Sequence, residues 1–244
     1  MTLHKSGNLG ELNHNHLTTF GRKVMKRHLK IIGPFEFIIS KIKLFILSGI
    51  IAFSYNCEDA STADNNSSNN LLFIASEGNF GQNNGSISVF NKDEKIQELL
   101  NVGDVLQSIL VHDNHLYAIV NGNSEIKRYA ISETGLTLPG ITISTNNSSP
   151  REMCVLNNKL YFSNWNSRDI KVLNLNTFAI EQSIPLNGLP EDITTDGTNL
   201  YASVPHLELY DQGNGTTVVK IDPLTNQTIK TYEVGKGPQH LIIH

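Results

Sequence analysis

Charged residues are scarce in this chain. Asp, Glu, Lys and Arg together make 17 % of it and the net charge is −4. A near-neutral balance gives no electrostatic case for nucleic acid as a partner. Cysteine is scarcer still, with only Cys57 and Cys154. No CxxCH is present, which excludes covalent c-type haem, and no paired CxxC offers a zinc site. The two thiols read as unpaired, because Cys57 follows an apolar segment and Cys154 sits inside a strand-like run. No apolar run is long enough to cross a bilayer comfortably. Helix formers such as Ala, Glu and Lys are fewer than Thr, Ile, Asn and Gly. That profile belongs to many short strands joined by turns.

The one marked apolar run, residues 44–55 (LFILSGIIAFSY), follows the basic Lys41–Lys43. This is the order of an export signal, with a basic n-region ahead of a short h-region. Signals begin near the initiator, so Met25, opening MKRHLK, is the better start, and residues 1–24 read as a non-functional upstream extension. His4, His14 and His16 fall in that extension, where no strand or helix signal holds them as metal ligands. Cys57 and the polar stretch from Glu58 onward, whose only apolar residues are two alanines, resemble a bacterial lipoprotein. The resemblance implies a leader over 25–57, a lipid on Cys57 and a flexible tether over 58–70. The residues before the cysteine, Ser54, Tyr55 and Asn56, depart from the usual Leu, small residue and Gly or Ala. An ordinary secreted protein and an uncleaved anchor are the alternatives. All three place the chain outside the cytoplasm, in the periplasm or at the outer surface of the cell envelope.

From residue 71 onward the sequence repeats. An aromatic follows the first Leu of each unit at Phe73, Tyr117, Tyr161 and Tyr201, and a proline recurs at Pro150, Pro190 and Pro238. The third unit predicts four strands: PREMCVL, KLYFSN, IKVLNL and AIEQSIPL. Asn-Asn, Asp-Gly and Asn-Gly pairs lie between strands, where hairpin turns need positive φ. Four antiparallel strands in each repeat of about 40–45 residues is the pattern of a β-propeller blade. The expected fold is therefore all-β, a propeller of four-stranded antiparallel blades over residues 71–244. The repeat aromatics are expected in the core.

Two strings, IDPLTNQTI (221–229) and VGKGP (234–238), resemble the YVTN-type propeller repeat of bacterial surface and periplasmic proteins. The stretch from Tyr161 to Tyr201 does so as well. The first unit departs most, since DVLQSI lacks the proline. In that family the strand after the proline is innermost. The resemblance then implies three outer strands, three full blades and a last inner strand, PQHLIIH. Such a strand closes a four-bladed ring by pairing with the opening three, or completes an eight-bladed pair of half-rings, or belongs to a ring of seven or eight blades of which this sequence carries the front part. The third is the expectation taken forward.

Repeat alignment sets Gln107, Arg151, Glu191 and Gln239 at the first inner-strand position and Ser108, Glu152, Asp192 and His240 at the next. These eight form a candidate ring of polar groups at one channel mouth. They are equally suited to pairing with one another. Trp165, the only tryptophan, is either an aromatic platform for a sugar or peptide, or packing between blades. YDQGNGTTVV (210–219) lacks the alternating acidic ligands and terminal Glu of a calcium loop and reads as a Gly-rich hairpin. Cys154, between Met153 and Val155 in an inner strand, reads as a buried, inert thiol. No cofactor is indicated. The leading expectation is a non-catalytic binding or scaffolding module for a protein or carbohydrate ligand, attached to a membrane by its lipid. The alternatives are a metal-dependent lactonase-like hydrolase, for which Glu152, Asp192 and His240 are the only reasonable residues, and a structural component of a surface assembly.

Overall fold

The computed structural model describes residues 70–244. The expected extension over 1–24, the leader with Cys57 and all but the last residue of the tether lie outside the described residues. Those described form sixteen strands in four antiparallel sheets, with no helix among them.

The first sheet has three strands, β1 (Leu71–Ser76), β2 (Ser86–Asn91) and β3 (Glu94–Leu99). The second contains β4 (Leu106–His112), β5 (His115–Val120), β6 (Glu125–Ser132), β7 (Gly135–Leu136) and β8 (Ile141–Ser144), the last two both pairing with β6 as an interrupted outer strand. The third sheet is β9 (Pro150–Leu156), β10 (Lys159–Asn164), β11 (Asp169–Asn174) and β12 (Ile180–Pro185). The fourth is β13 (Ile193–Thr195), β14 (Leu200–Val204), β15 (Thr217–Asp222) and β16 (Gln227–Glu233). The third unit's strands agree with the sequence reading, two of them residue for residue. The tight turns use the expected chemistry. Asp113 and Asn114 join β4 to β5, Asn157 and Asn158 join β9 to β10, and all four have positive φ.

Why these sheets stack follows from alternation along the strands. Side chains of successive residues point to opposite faces. On β10, Leu160 and Phe162 pack toward the second sheet with Tyr117, Ile119 and Ile143, while Tyr161 packs toward the fourth with Leu200, Ala202 and Val219. A third core joins the first two sheets through Ile87, Val89, Leu106 and Leu116. Strands β5 and β10 are covered on both faces, which is why HLYAIV and KLYFSN read as nearly unbroken apolar runs. On β1 the pattern alternates between half-buried and exposed, as expected of a strand with one covered face. Each sheet therefore packs face to face on the next, with β4, β9 and β13 side by side at the inner edge. This is the stacking of propeller blades, and about four repeats of it are present.

Three expectations are corrected. PQHLIIH forms no strand, although Pro238–His244 keeps to the inner position. Ser203 Oγ donates to the Gln239 carbonyl at 3.4 Å, and Leu241 N to Asp192 Oδ2 at 2.6 Å. It does not pair with β1, and a strand without a hydrogen-bonded neighbour does not persist. Glu191 and Asp192, expected at the first two positions of the fourth unit's inner strand, precede β13 instead. Of the repeat aromatics, Tyr117 and Tyr161 are buried, but Phe73 and Tyr201 are only partly covered. Tyr201 lies on the outward face of the fourth sheet, where its hydroxyl donates to Asp196 Oδ2 at 2.9 Å.

Candidate functional site

The inner ends of β4 and β9 and the residues before β13 bring most of the candidate ring together. Arg151, second residue of β9, is its centre. Its Nη2 donates to Glu191 Oε1 at 2.7 Å and its Nε to Glu191 Oε2 at 3.0 Å, while Nη1 donates to Gln107 Oε1 at 2.7 Å. One guanidinium thus ties three blades. The planar fork suits a carboxylate, and the low exposure of both partners, 18 % for Arg151 and 9 % for Glu191 side chains, protects the pair from solvent. The same guanidinium lies over the Trp165 ring, 4.2 Å from its centroid.

Trp165 is held there because its backbone N–H donates to the Ser149 carbonyl at 3.1 Å in the β10–β11 connection. With Arg151 on its face and His206 against its edge at 5.4 Å, the half-buried indole packs between blades on that side, and its remaining surface borders a cavity. Its Nε1 is buried without a hydrogen-bond partner.

Carboxylates outnumber the one arginine at this mouth. Glu152 follows Arg151 on β9, and Asp192 follows Glu191. Burial pushes the Glu152 carboxyl up to about 7, and the neighbouring charges of Asp192 and Glu191 add to the shift. Ser108 and Arg151 pull the other way. Ser108 Oγ also donates to the Arg151 carbonyl at 3.1 Å.

Two ring members are left out. The Gln239 side chain is exposed, and its contribution is the backbone carbonyl that Ser203 uses. His240 is 87 % exposed with its Nδ1 4.0 Å from Asp192 Oδ2. Among the described residues no group of three or more His, Cys, Asp or Glu converges as metal ligands. Cys154 is free and buried, and burial raises its thiol to about 12, which leaves it protonated and inert.

Sequence reasoning missed two serines that lock the blades. Ser163 Oγ accepts the Glu152 N–H at 3.1 Å and donates to the Glu191 carbonyl of the next blade at 2.5 Å. Ser203 Oγ accepts the Asp192 N–H at 3.0 Å and donates to the Gln239 carbonyl. Both stand two residues after the repeat tyrosine, in YFS and YAS, and both are fully buried. The signal was present as a repeated polar residue on a strand otherwise covered on both faces. The second blade has Ile119 at this offset, and Ser108 serves its junction instead.

No protein-family model matches the chain, and no curated protein matches it. Solved structures do, with β-propeller proteins among them. The dihydro-haem d1 dehydrogenase NirN, in complex with DHE, is 14 % identical with a TM-score of 0.50, over 67 % of this chain and 36 % of that one. Hydrazine synthase of Kuenenia stuttgartiensis is 14 % identical with a TM-score of 0.44, over 52 % of this chain and 34 % of the other. The Cps50 (Swd1) β-propeller domain of Myceliophteria thermophila is 10 % identical with a TM-score of 0.47, over 59 % and 45 %. The chain spans about a third of the length of the first two. At this identity the likeness concerns the fold alone, and it agrees with the stacked sheets.

Proposed function

We propose that this chain is a non-catalytic binding propeller, exported and held at a membrane of the cell envelope by a lipid on Cys57. It recognises a protein or carbohydrate ligand at the inner face around Arg151 and Glu152. The observation that carries the reading is the Arg151 network. It fixes Gln107, Glu191 and Trp165 from three blades in one rigid polar surface, and leaves Glu152 and Asp192 beside it as surplus carboxylates. Groups held this way are pre-organised, so a ligand pays little to order them. Support for export and anchoring comes from the basic Lys41–Lys43, the apolar run over 44–55, and Cys57 with its polar tether.

Binding of the purified chain to glycan and peptide arrays tests the recognition, with Glu152→Gln as the control. A ligand retained by the wild type and lost by the variant supports the inner face, and a ligand indifferent to the change removes it. Labelled fatty acid incorporated by the wild type but not by Cys57→Ser supports the anchor.

The hydrolase reading has one observation in its favour: a Glu152 carboxyl near 7 suits a general base at neutral pH. The exposure of His240, and the absence among the described residues of three groups converging as metal ligands, weigh against a metal held by these three residues. Stoichiometric metal in the purified protein would restore it.

A further inference from the structure

The β14–β15 connection is out of proportion. Its counterparts in the second and third blades, residues 121–124 and 165–168, have four residues each, whereas residues 205–216 make twelve. Asp211 organises this longer loop. Its Oδ2 accepts Leu207 N at 2.6 Å and Glu208 N at 3.2 Å, and its Oδ1 accepts Gly213 N at 3.0 Å and pairs with His206 Nδ1 at 2.8 Å. Arg168 of the third blade donates to the Leu207 carbonyl at 3.2 Å and pairs with Glu208.

A loop tied down at so many points does not fold its own apolar side chains inward. Leu207 and Leu209 stand 47 % exposed and Tyr210 95 %, the tyrosine with a φ of 65°. A bulky residue in the left-handed region is uncommon, and here the strained backbone presents an aromatic ring outward. Together Trp165, Leu189, His206, Glu208, Leu209, Tyr210 and Gln212 bound a cavity of about 360 Å³ whose surface is mostly apolar, although Glu208 stands at its wall.

We propose that this cavity, separate from the inner-face network though it shares Trp165 with it, is a binding site for an uncharged aromatic ring. The charges around it are already answered, Glu208 by Arg168 and Asp211 by His206 and backbone N–H groups. A charged ligand would lose hydration and meet no free opposite charge. A sugar would bring a hydroxyl on nearly every ring carbon to walls whose polar groups are the Gln212 amide, the Trp165 Nε1 and a Glu208 carboxylate already paired with Arg168, leaving most hydroxyls unpaired. An aryl ring needs none, and it meets Trp165, Tyr210 and two leucines in offset or edge contact. The volume lies at the small end for ligand pockets and fits one ring with a short substituent. A free aryl compound and an aromatic side chain of a peptide present the same chemistry.

Trp165 is the only tryptophan, so its emission reports on this wall directly. The full chain is titrated with N-acetyl-phenylalaninamide, phenylacetate, methyl glucoside and a neutral phenylalanine-containing hexapeptide. The amide is expected to give a saturable change with a Kd on the order of 1 mM. Phenylacetate is expected to bind about tenfold more weakly, and the glucoside to give no saturation. Tyr210→Ser and Leu209→Ser, both exposed enough to leave the melting transition in place, are expected to weaken the amide about tenfold. A hexapeptide tighter than the amide assigns the site to a peptide side chain, and equal affinity assigns it to the free compound. The proposal is overturned if the amide does not saturate, if the glucoside binds better than the amide, or if both loop variants bind like the wild type.

Discussion

Arg151 and Glu191 face each other across the seam between the third and fourth blades, joined by two parallel hydrogen bonds of 2.7 and 3.0 Å. The pair lies at the inner edge, where the sheets converge and where a side chain from one blade reaches two others. Its consequences for stability are asymmetric.

Replacing Arg151 with Met strands the Glu191 carboxylate, only 9 % exposed, without its partner. The expected loss is about 3–5 kcal/mol, because an unpaired buried charge is worse than none. The double variant Arg151→Met with Glu191→Leu should recover more than half of that loss. Urea melts of the two variants and the wild type measure both. A single variant as stable as the double would contradict a pair this well shielded.

The serine locks differ in strength. Ser163→Ala leaves the Glu152 N–H and the Glu191 carbonyl unsatisfied in a fully buried position, at a cost of about 1–3 kcal/mol. Ser203→Ala should cost less, since its bond to the Gln239 carbonyl is already long at 3.4 Å. Thermal melts that rank them in the opposite order would argue against the lock.

Glu152 ties stability to pH. Its folded pKa, about 7, stands above the ordinary 4.5, so folding favours the protonated acid. That contribution is fully present below pH 4.5 and is lost as pH rises through about 7. Glu152→Gln should therefore match the wild type in acid and exceed it at about pH 8 by roughly 1–2 kcal/mol, once solvent screening of this partly exposed group is allowed for. Urea melts at several pH values supply the comparison, and a parallel pH profile for the two proteins would remove the effect.

Asp211 behaves with the opposite sign. Desolvation alone would raise its carboxyl, but hydrogen bonds from Leu207 N, His206, Glu208 N and Asn214 N outweigh it and hold the pKa well below 3.8. The loop it organises should keep its amide protection at about pH 3, losing it only as the pH falls through that depressed value. Asp211→Ala should speed exchange at Leu207 and Glu208 at neutral pH while leaving β14 and β15 protected. Hydrogen exchange followed residue by residue reads both outcomes.

Much of the fold was legible in the chain because a blade is a local object. Strand β9 runs from Pro150 to Leu156 and β10 from Lys159 to Asn164, as the repeat and its turn residues indicate. The proline-led positions also located Arg151, Glu152, Glu191 and Asp192 near one another, since repeats in register place equivalent residues side by side. What those side chains do was not legible. Glu191 could equally have faced solvent, and only the seam between blades decides that it takes Arg151. Trp165 offered two readings, and the packing of Arg151 on its face selects one.

By itself, then, the sequence determined all but the last of the strands, their order, and the ring positions up to Asp192, because hydrogen-bonded hairpins and the repeat's turn residues act over a few residues. The tertiary structure decided the rest. It left Pro238–His244 without a strand partner, made Ser163 a junction between blades, and folded the long β14–β15 loop over Trp165 around Asp211. The Ser163 junction and the Leu241–Asp192 bond join groups 28 and 49 residues apart in the chain, and no local pattern encodes such a distance.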